Sequence, residues 1–314
     1  LPAFEYVEHQ VDVLKKLLRI NAGIVKAPTS SGKTEVMIAL LKIAKLPALI
    51  LVNRISLALQ TVDRLKKNGI TNVGICYGKG RTDGDIVVST IGSIKKIPSF
   101  EKFKILLVDE SHRANANQFQ TFLRSTSIPI RFGFSATPEG NDIYKYAKVR
   151  QFLGSIVFDI DPNVLIKKKV IALPKIHFVK VKGRPTLDWP SANNNCIVDN
   201  AERNDKIREL VEKYDTPTLI LVRMIEHGEI LSSLIDDSVF LSGIDDVDVR
   251  RQTIQQFEDR EIKTIIATSI FDEGISINAI RLLVIASGGK SKILSIQRLG
   301  RSLRLDDGKE EVLV

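Results

Sequence analysis

The sequence predicts two α/β domains in tandem, each a mainly parallel sheet flanked by helices. Three observations carry that reading. Short apolar runs of strand length alternate with stretches of helical spacing along most of the 314 residues. The alternation lapses between about residues 139 and 200, where a basic run, Lys167-Lys168-Lys169, and the polar segment SANNN at 191–195 interrupt it, and then resumes. The length suits roughly two domains of ordinary size, and 44% apolar residues supply a core for each. The boundaries are drawn at 1–155 for the first domain, 156–175 for a linker and 176–314 for the second.

The elements follow in order. GIVKA at 23–27 reads as a strand, the next residues as a turn and EVMIALLKIAK at 35–45 as a helix. ALILV (48–52), IVV (86–88), ILLV (105–108) and IRFGF (130–134) read as further strands, with helices at 55–67 and 117–124. Their runs are continuously apolar rather than alternating, as strands covered on both faces require. In the second half the strands are TLILV (218–222), 239–241, TIIA (264–267) and LLVIA (282–286), and the helices 202–213, 224–235, 247–259 and 293–304. The terminal EEVLV also reads as a strand. With no methionine at Leu1, the sequence reads as an excerpt of a longer chain.

Composition narrows the classes. Lys and Arg outnumber Asp and Glu by 46 to 37, a net charge of +9 that suits a polyanionic partner. Cys76 and Cys196 stand far apart, and His9, His112, His177 and His227 are scattered, so neither a zinc site nor a disulfide framework is indicated. That usage fits a reducing, intracellular and cytoplasmic setting. No apolar run approaches the ~18 residues of a membrane span, and no signal peptide opens the chain.

APTSSGKT at 27–34 has the spacing of a phosphate-binding loop, with Ala27 in place of the first glycine. Strand, loop, helix is the context such a loop needs. Backbone N–H groups of Thr29, Ser30, Ser31 and Gly32 would face phosphate oxygens at the helix start. Lys33 would reach the β- and γ-phosphates of ATP, and the Thr34 hydroxyl would coordinate Mg²⁺. ILLVDESH at 105–112 is an apolar strand ending in two carboxylates. It delivers them to the carboxyl edge of the sheet, where parallel α/β folds bind ligands. Asp109 would hold Mg²⁺ through water, and Glu110 would polarise the attacking water.

DESH resembles the DExH signature of superfamily 2 helicases and translocases, and further motifs follow in that family's order. The resemblance implies two RecA-like domains with ATP in the cleft between them. It implies that Gln10 reads the adenine edge, and an alanine at the first loop position is common in the superfamily. LVNRISLALQ (51–60) is similar to motif Ia, where Arg54 would touch a nucleic-acid phosphate. STIGS (89–93) is similar to motif Ib, with Ser89 and Thr90 in that role. SAT (135–137) is similar to motif III, in which Ser135 and Thr137, with His112, couple the ATP site to the nucleic-acid track.

In the second half, TLILVRMIEHGEIL (218–231) resembles motif IV, with Arg223 as a phosphate contact and His227 read as structural. SGIDDVDVR (242–250) resembles the segment that follows it. ATSIFDEGISIN (267–278) resembles motif V: Thr268 would contact a backbone phosphate, Gly274 would sit by the ribose and Glu273 would assist, while Ser276 replaces the family's usual Asp. QRLGRSLR (297–304) places Gln297, Arg301 and Arg304 on one face of a helix. The resemblance to motif VI makes the two arginines fingers for the γ-phosphate, with Arg298 as support and Gly300 allowing close packing. GISIN followed by GGKSKILSIQRLGRSLR is similar to phage recombination helicases of the UvsW type.

That likeness implies ATP-driven work on single-stranded and branched DNA: branch migration, fork regression and junction unwinding in recombination, repair or replication, gripped through backbone phosphates, with recombination or replication proteins as partners. An RNA helicase would share every ATPase motif. A double-stranded DNA translocase of the restriction-motor type would move without separating strands. A binding protein with a dead ATPase is disfavoured by the intact Lys33, Asp109, Glu110, Arg301 and Arg304. A phosphate-loop kinase is disfavoured by the second α/β domain.

Overall fold

The computed structural model describes the chain apart from residues 1–6, 79, 114–116, 141, 183–187, 189–190, 192–193, 269–276, 288–302 and 304–307. The chain divides into two units, Leu1–Leu165 and Ile166–Val314.

The first unit runs α1 (Glu8–Leu17), β1 (Ala22–Lys26), α2 (Lys33–Ala44), β2 (Ala48–Val52), α3 (Ile55–Lys67), β3 (Val73–Tyr77), β4 (Gly80–Arg81), β5 (Ile86–Thr90), β6 (Ile105–Asp109), α4 (Asn117–Ser125), β7 (Ile130–Ser135), α5 (Ile143–Leu153) and β8 (Ile156–Asp159). The strands form one sheet in the order β4-β3-β5-β2-β6-β7-β1-β8. Every pairing is parallel except the short β3–β4 ladder. β2 and β5 are buried at every position, and β6 at all but its last. Leu49, Leu51, Leu106, Val108, Phe119, Phe122 and Leu153 belong to one core cluster joining these strands to the helices beside them. Burial on both faces explains the continuously apolar strand sequences.

After α6 (Pro162–Lys167), the second unit contains β9 (Leu173–Lys175), α7 (Ala201–Tyr214), β10 (Thr218–Leu221), α8 (Ile225–Leu234), β11 (Ser238–Leu241), α9 (Val247–Glu258), β12 (Thr264–Ala267), β13 (Leu282–Ile285) and β14 (Glu311–Leu313). Its sheet has the order β11-β12-β10-β13-β14-β9, parallel throughout. Ile207, Ile220, Val222, Leu231, Ile266 and Ala286 form its core.

Three stretches depart from the sequence expectations. Residues 156–175, assigned to a linker, supply an edge strand to each sheet: β8 pairs with β1, and β9 with β14. These strands are short and half exposed, and the basic run between them masks their pattern. Residues 143–153, read as irregular, form α5, capped by the Asp142 carboxylate, which accepts the N–H groups of Tyr144 and Lys145. Residues 73–77 form β3, whose alternating burial and internal glycine give no continuous apolar run. The helix expected at 293–304 lies outside the described residues, apart from Leu303. Among the described residues no helix is long and apolar enough to cross a membrane.

Candidate functional site

Strands β6, β7 and β1 are neighbours in the first sheet. Asp109 pairs in register with Phe134, and Ser135 with Lys26. Because all three strands are parallel, their carboxyl ends share one edge. The loop at 27–32, the Asp109–Glu110 pair and the Ser135–Thr137 segment are therefore brought together there.

The loop has the properties of an anion cradle. Ser30 and Gly32 adopt left-handed backbone, φ 67° and 82°. Lys33 and Thr34 open α2, and the Lys33 ammonium folds back onto the carbonyls of Ala27 (3.1 Å) and Pro28 (3.0 Å). The hydroxyls of Thr29 and Ser31 are buried and make no hydrogen bond. Unsatisfied buried hydroxyls carry a free-energy cost, which a polar ligand in the loop would relieve. Below the loop, Lys26 at the end of β1 bridges Glu139 (3.0 Å) and Asp159 (3.2 Å). Hydrogen bonding to Glu139, chiefly, raises its pKa further.

At the end of β6, the Asp109 carboxylate accepts the N–H of Glu110 at 3.0 Å. Glu110 Oε2 is buried without a hydrogen bond, 3.4 Å from His112 Nδ1. The same His112 nitrogen lies 2.9 Å from Ser135 Oγ, which also accepts the N–H of Thr137 at 3.1 Å. The Thr137 hydroxyl is buried without a partner. Glu110, His112, Ser135 and Thr137 thus form one chain of contacts across two strands.

The other expected residues are placed less uniformly. Gln10 on α1 does not point its amide outward. Its Oε1 accepts the N–H of Val7 at 3.1 Å, and its Nε2 lies 3.4 Å from the Ser31 carbonyl. Arg54 is the N-cap residue of α3, beyond β2. Ser89 is fully buried, with its hydroxyl on the Thr90 carbonyl, and Thr90 donates to Ser93 Oγ at 2.9 Å. The Ser89 side chain therefore offers no group to a surface ligand. In the second unit, Arg223 follows β10 and is exposed, whereas Thr268 follows β12 and is buried. His227 is 1% exposed and donates from Nε2 to Asn204 Oδ1 at 3.0 Å. Burial, then the nearby Arg203 charge, push its pKa down to about 4, so it is a neutral core histidine. Glu273, Gly274, Ser276, Gln297, Arg298, Gly300, Arg301 and Arg304 lie outside the described residues.

Residues 3–140 match the family described as "Type III restriction enzyme, res subunit", and residues 202–306 match "Helicase conserved C-terminal domain". The chain belongs to superfamily 2 of the helicases. The helicase is 25% identical to "DNA 3'-5' translocase XPB2" of Sulfurisphaera tokodaii, over 99% of this chain and 81% of that protein. It is also 25% identical to "ATP-dependent DNA helicase uvsW" of Enterobacteria phage T4, over 96% and 66%. Among solved structures, it resembles "ATP-dependent Type ISP restriction-modification enzyme LlaBIII bound to DNA", with TM-score 0.75 and 15% identity, over 99% of this chain and 27% of that one. Across the leading curated relatives the chain spans between about half and four-fifths of their length. The chain also resembles "S. cerevisiae Dbp5 bound to RNA and ADP BeF3", with TM-score 0.69 and 17% identity, over 98% of this chain and 82% of that one, a likeness that shows the tandem RecA-like fold.

Among the described residues of the helicase, no group of three or more His, Cys, Asp or Glu could hold a metal by itself. Two contributors escaped the sequence reading. His9 reaches the loop carbonyl of Ser31 at 2.9 Å. Glu258 accepts the N–H groups of Asn278 (2.6 Å) and Ala279 (3.1 Å), anchoring the end of the motif V stretch. Neither has a spacing that marks it, since both act on backbone groups distant in sequence.

Proposed function

We propose that the chain is the motor of an ATP-dependent DNA helicase or translocase that acts on branched DNA, moving junctions, regressing forks and unwinding arms. The observation that carries the motor is the convergence of the phosphate loop, the Asp109–Glu110 pair and the Ser135–Thr137 segment on three adjacent strand ends. DNA as the track is supported by the names of the relatives from Sulfurisphaera tokodaii and phage T4, and by the net charge of +9.

In this reading Lys33 exchanges its two loop carbonyls for the β- and γ-phosphates. The amides of Thr29 to Gly32 cradle phosphate oxygens, and Gly274 sits by the ribose; Gln10 reads the adenine edge only by releasing its bonds to Val7 and Ser31. Thr34 and Asp109 hold Mg²⁺, which when bound offsets phosphate charge. Glu110 orients the attacking water and accepts its proton at the buried Oε2. Gln297, Arg301 and Arg304 stabilise charge developing on the γ-phosphate. His112 and Ser135 transmit the change towards Thr137. Arg54, Thr90, Arg223 and Thr268 grip backbone phosphates; Ser89 acts by supporting Thr90. Such contacts position the track without reading bases.

A second reading, a duplex DNA translocase of the restriction-motor type, is favoured by the family match over 3–140 and the likeness to LlaBIII. Steady-state ATP hydrolysis separates the readings when measured with no nucleic acid, single-stranded DNA, duplex DNA, a four-way DNA junction and structured RNA. Lys33→Ala serves as the blank and is expected to abolish turnover. Greatest stimulation by the junction is the expected result. Equal stimulation by plain duplex, without strand separation, would favour the restriction-type motor, and stimulation by RNA alone would discard DNA as the track.

A further inference from the structure

We propose that His9 is a positioning residue that sets the phosphate loop for nucleotide through the carbonyl of Ser31. The inference rests on the nucleotide-motor reading. His9 lies on α1, is 7% exposed, and has Nε2 2.9 Å from the Ser31 oxygen. A carbonyl only accepts, so Nε2 carries the proton. The other ring nitrogen, Nδ1, is buried with no hydrogen bond. Packing alone does not account for such a ring, because an apolar side chain would fill the position without an orphaned polar atom.

The Ser31 oxygen has a second donor, Gln10 Nε2, at the longer distance of 3.4 Å. Contact is close on this side of the loop: a Cβ at Gly32 would lie 1.9 Å from that nitrogen. The Ser31 carbonyl and the Gly32 N–H belong to one planar trans peptide and point in opposite directions. By holding the oxygen toward α1, His9 therefore turns the Gly32 N–H away from α1. With Gly32 at φ 82°, that peptide has an unusual orientation that an external donor helps to fix. The amide is one of those assigned to phosphate, so the imidazole preorganises a donor it never touches.

The amide nitrogen of Gln overlays Nε2 of His, and that of Asn overlays Nδ1. His9→Gln therefore keeps the donor to Ser31, whereas His9→Asn and His9→Leu lose it. The measurements are KM and kcat for ATP, the Kd of a fluorescent ATP analogue, and thermal stability. KM and Kd are expected to rise about fivefold to tenfold in the Asn and Leu variants. They should stay within about twofold of wild type in the Gln variant, with kcat at saturating ATP little changed in all three. Wild-type affinity in a folded His9→Leu protein would overturn the proposal. So would equal affinities for the Gln and Asn variants, a comparison that holds if the Leu variant fails to fold. Hydrolysis that survives Lys33→Ala would instead bring down the nucleotide-site reading itself; dependence on Lys33 with indifference to His9 would sink only this inference.

Discussion

Glu110 holds a left-handed backbone, φ 49°, at the turn between β6 and the short helix Ser111–Arg113. A side-chain-bearing residue pays roughly 1 kcal/mol or more for that conformation, and it sits where two carboxylates must diverge within one turn. The tight turn is what lets Asp109 accept the Glu110 N–H while Glu110 Oε2 stays beside His112. His227 makes a different use of burial. Asn204 Nδ2 donates to the Val198 carbonyl, so its Oδ1 faces the imidazole as an acceptor. The folded-state pKa of about 4 lies below the ordinary 6.5. Stability from this group is therefore whole above about pH 6.5 and falls as pH drops toward 4, by on the order of 1–3 kcal/mol. His227→Gln keeps a donor toward Asn204 but does not titrate. Denaturant unfolding between those pH values should fall more steeply for wild type than for the variant; parallel profiles would remove His227 as the cause.

At the scale of elements, β7 shows how one residue shapes a site. A Cβ at Gly133 would lie 2.9 Å from Ser111 Cβ and 3.0 Å from a Leu153 methyl. The glycine lets the turn carrying Glu110 and His112 lie against the sheet. Gly133→Ala should cost about 1–3 kcal/mol and slow ATP hydrolysis; wild-type melting and turnover together would show that the turn has room. Both sheets were legible wherever strands were continuously apolar, as in ALILV and TLILV, because parallel strands buried on two faces leave that signature. β3, β8 and β9 were not, since partial exposure breaks the run. The common sheet edge of the 27–32 turn and the Asp109–Glu110 pair was legible because each follows an apolar strand of a parallel sheet. The inward turn of Gln10, the burial of Ser89 and the clamp from His9 were not. Each depends on which way a side chain faces in the folded core, and spacing along the chain does not encode that.

For the molecule as a whole, the +9 charge and the backbone contacts proposed above predict a largely electrostatic affinity for nucleic acid. Binding measured between about 50 and 200 mM salt should weaken log-linearly, with a similar slope for unrelated sequences of the same architecture. A salt-independent affinity, or strong preference for one sequence, would contradict backbone recognition. The segment at 156–175 has a mechanical consequence. It enters the first sheet as β8 and the second as β9, each at a sheet edge. Tension passed along the chain would reach β8 at its trailing end and β9 at its leading end. β8 is paired to β1, and β1 leads directly into the phosphate loop. A pull along the chain would thus arrive one strand away from the loop proposed to hold phosphate.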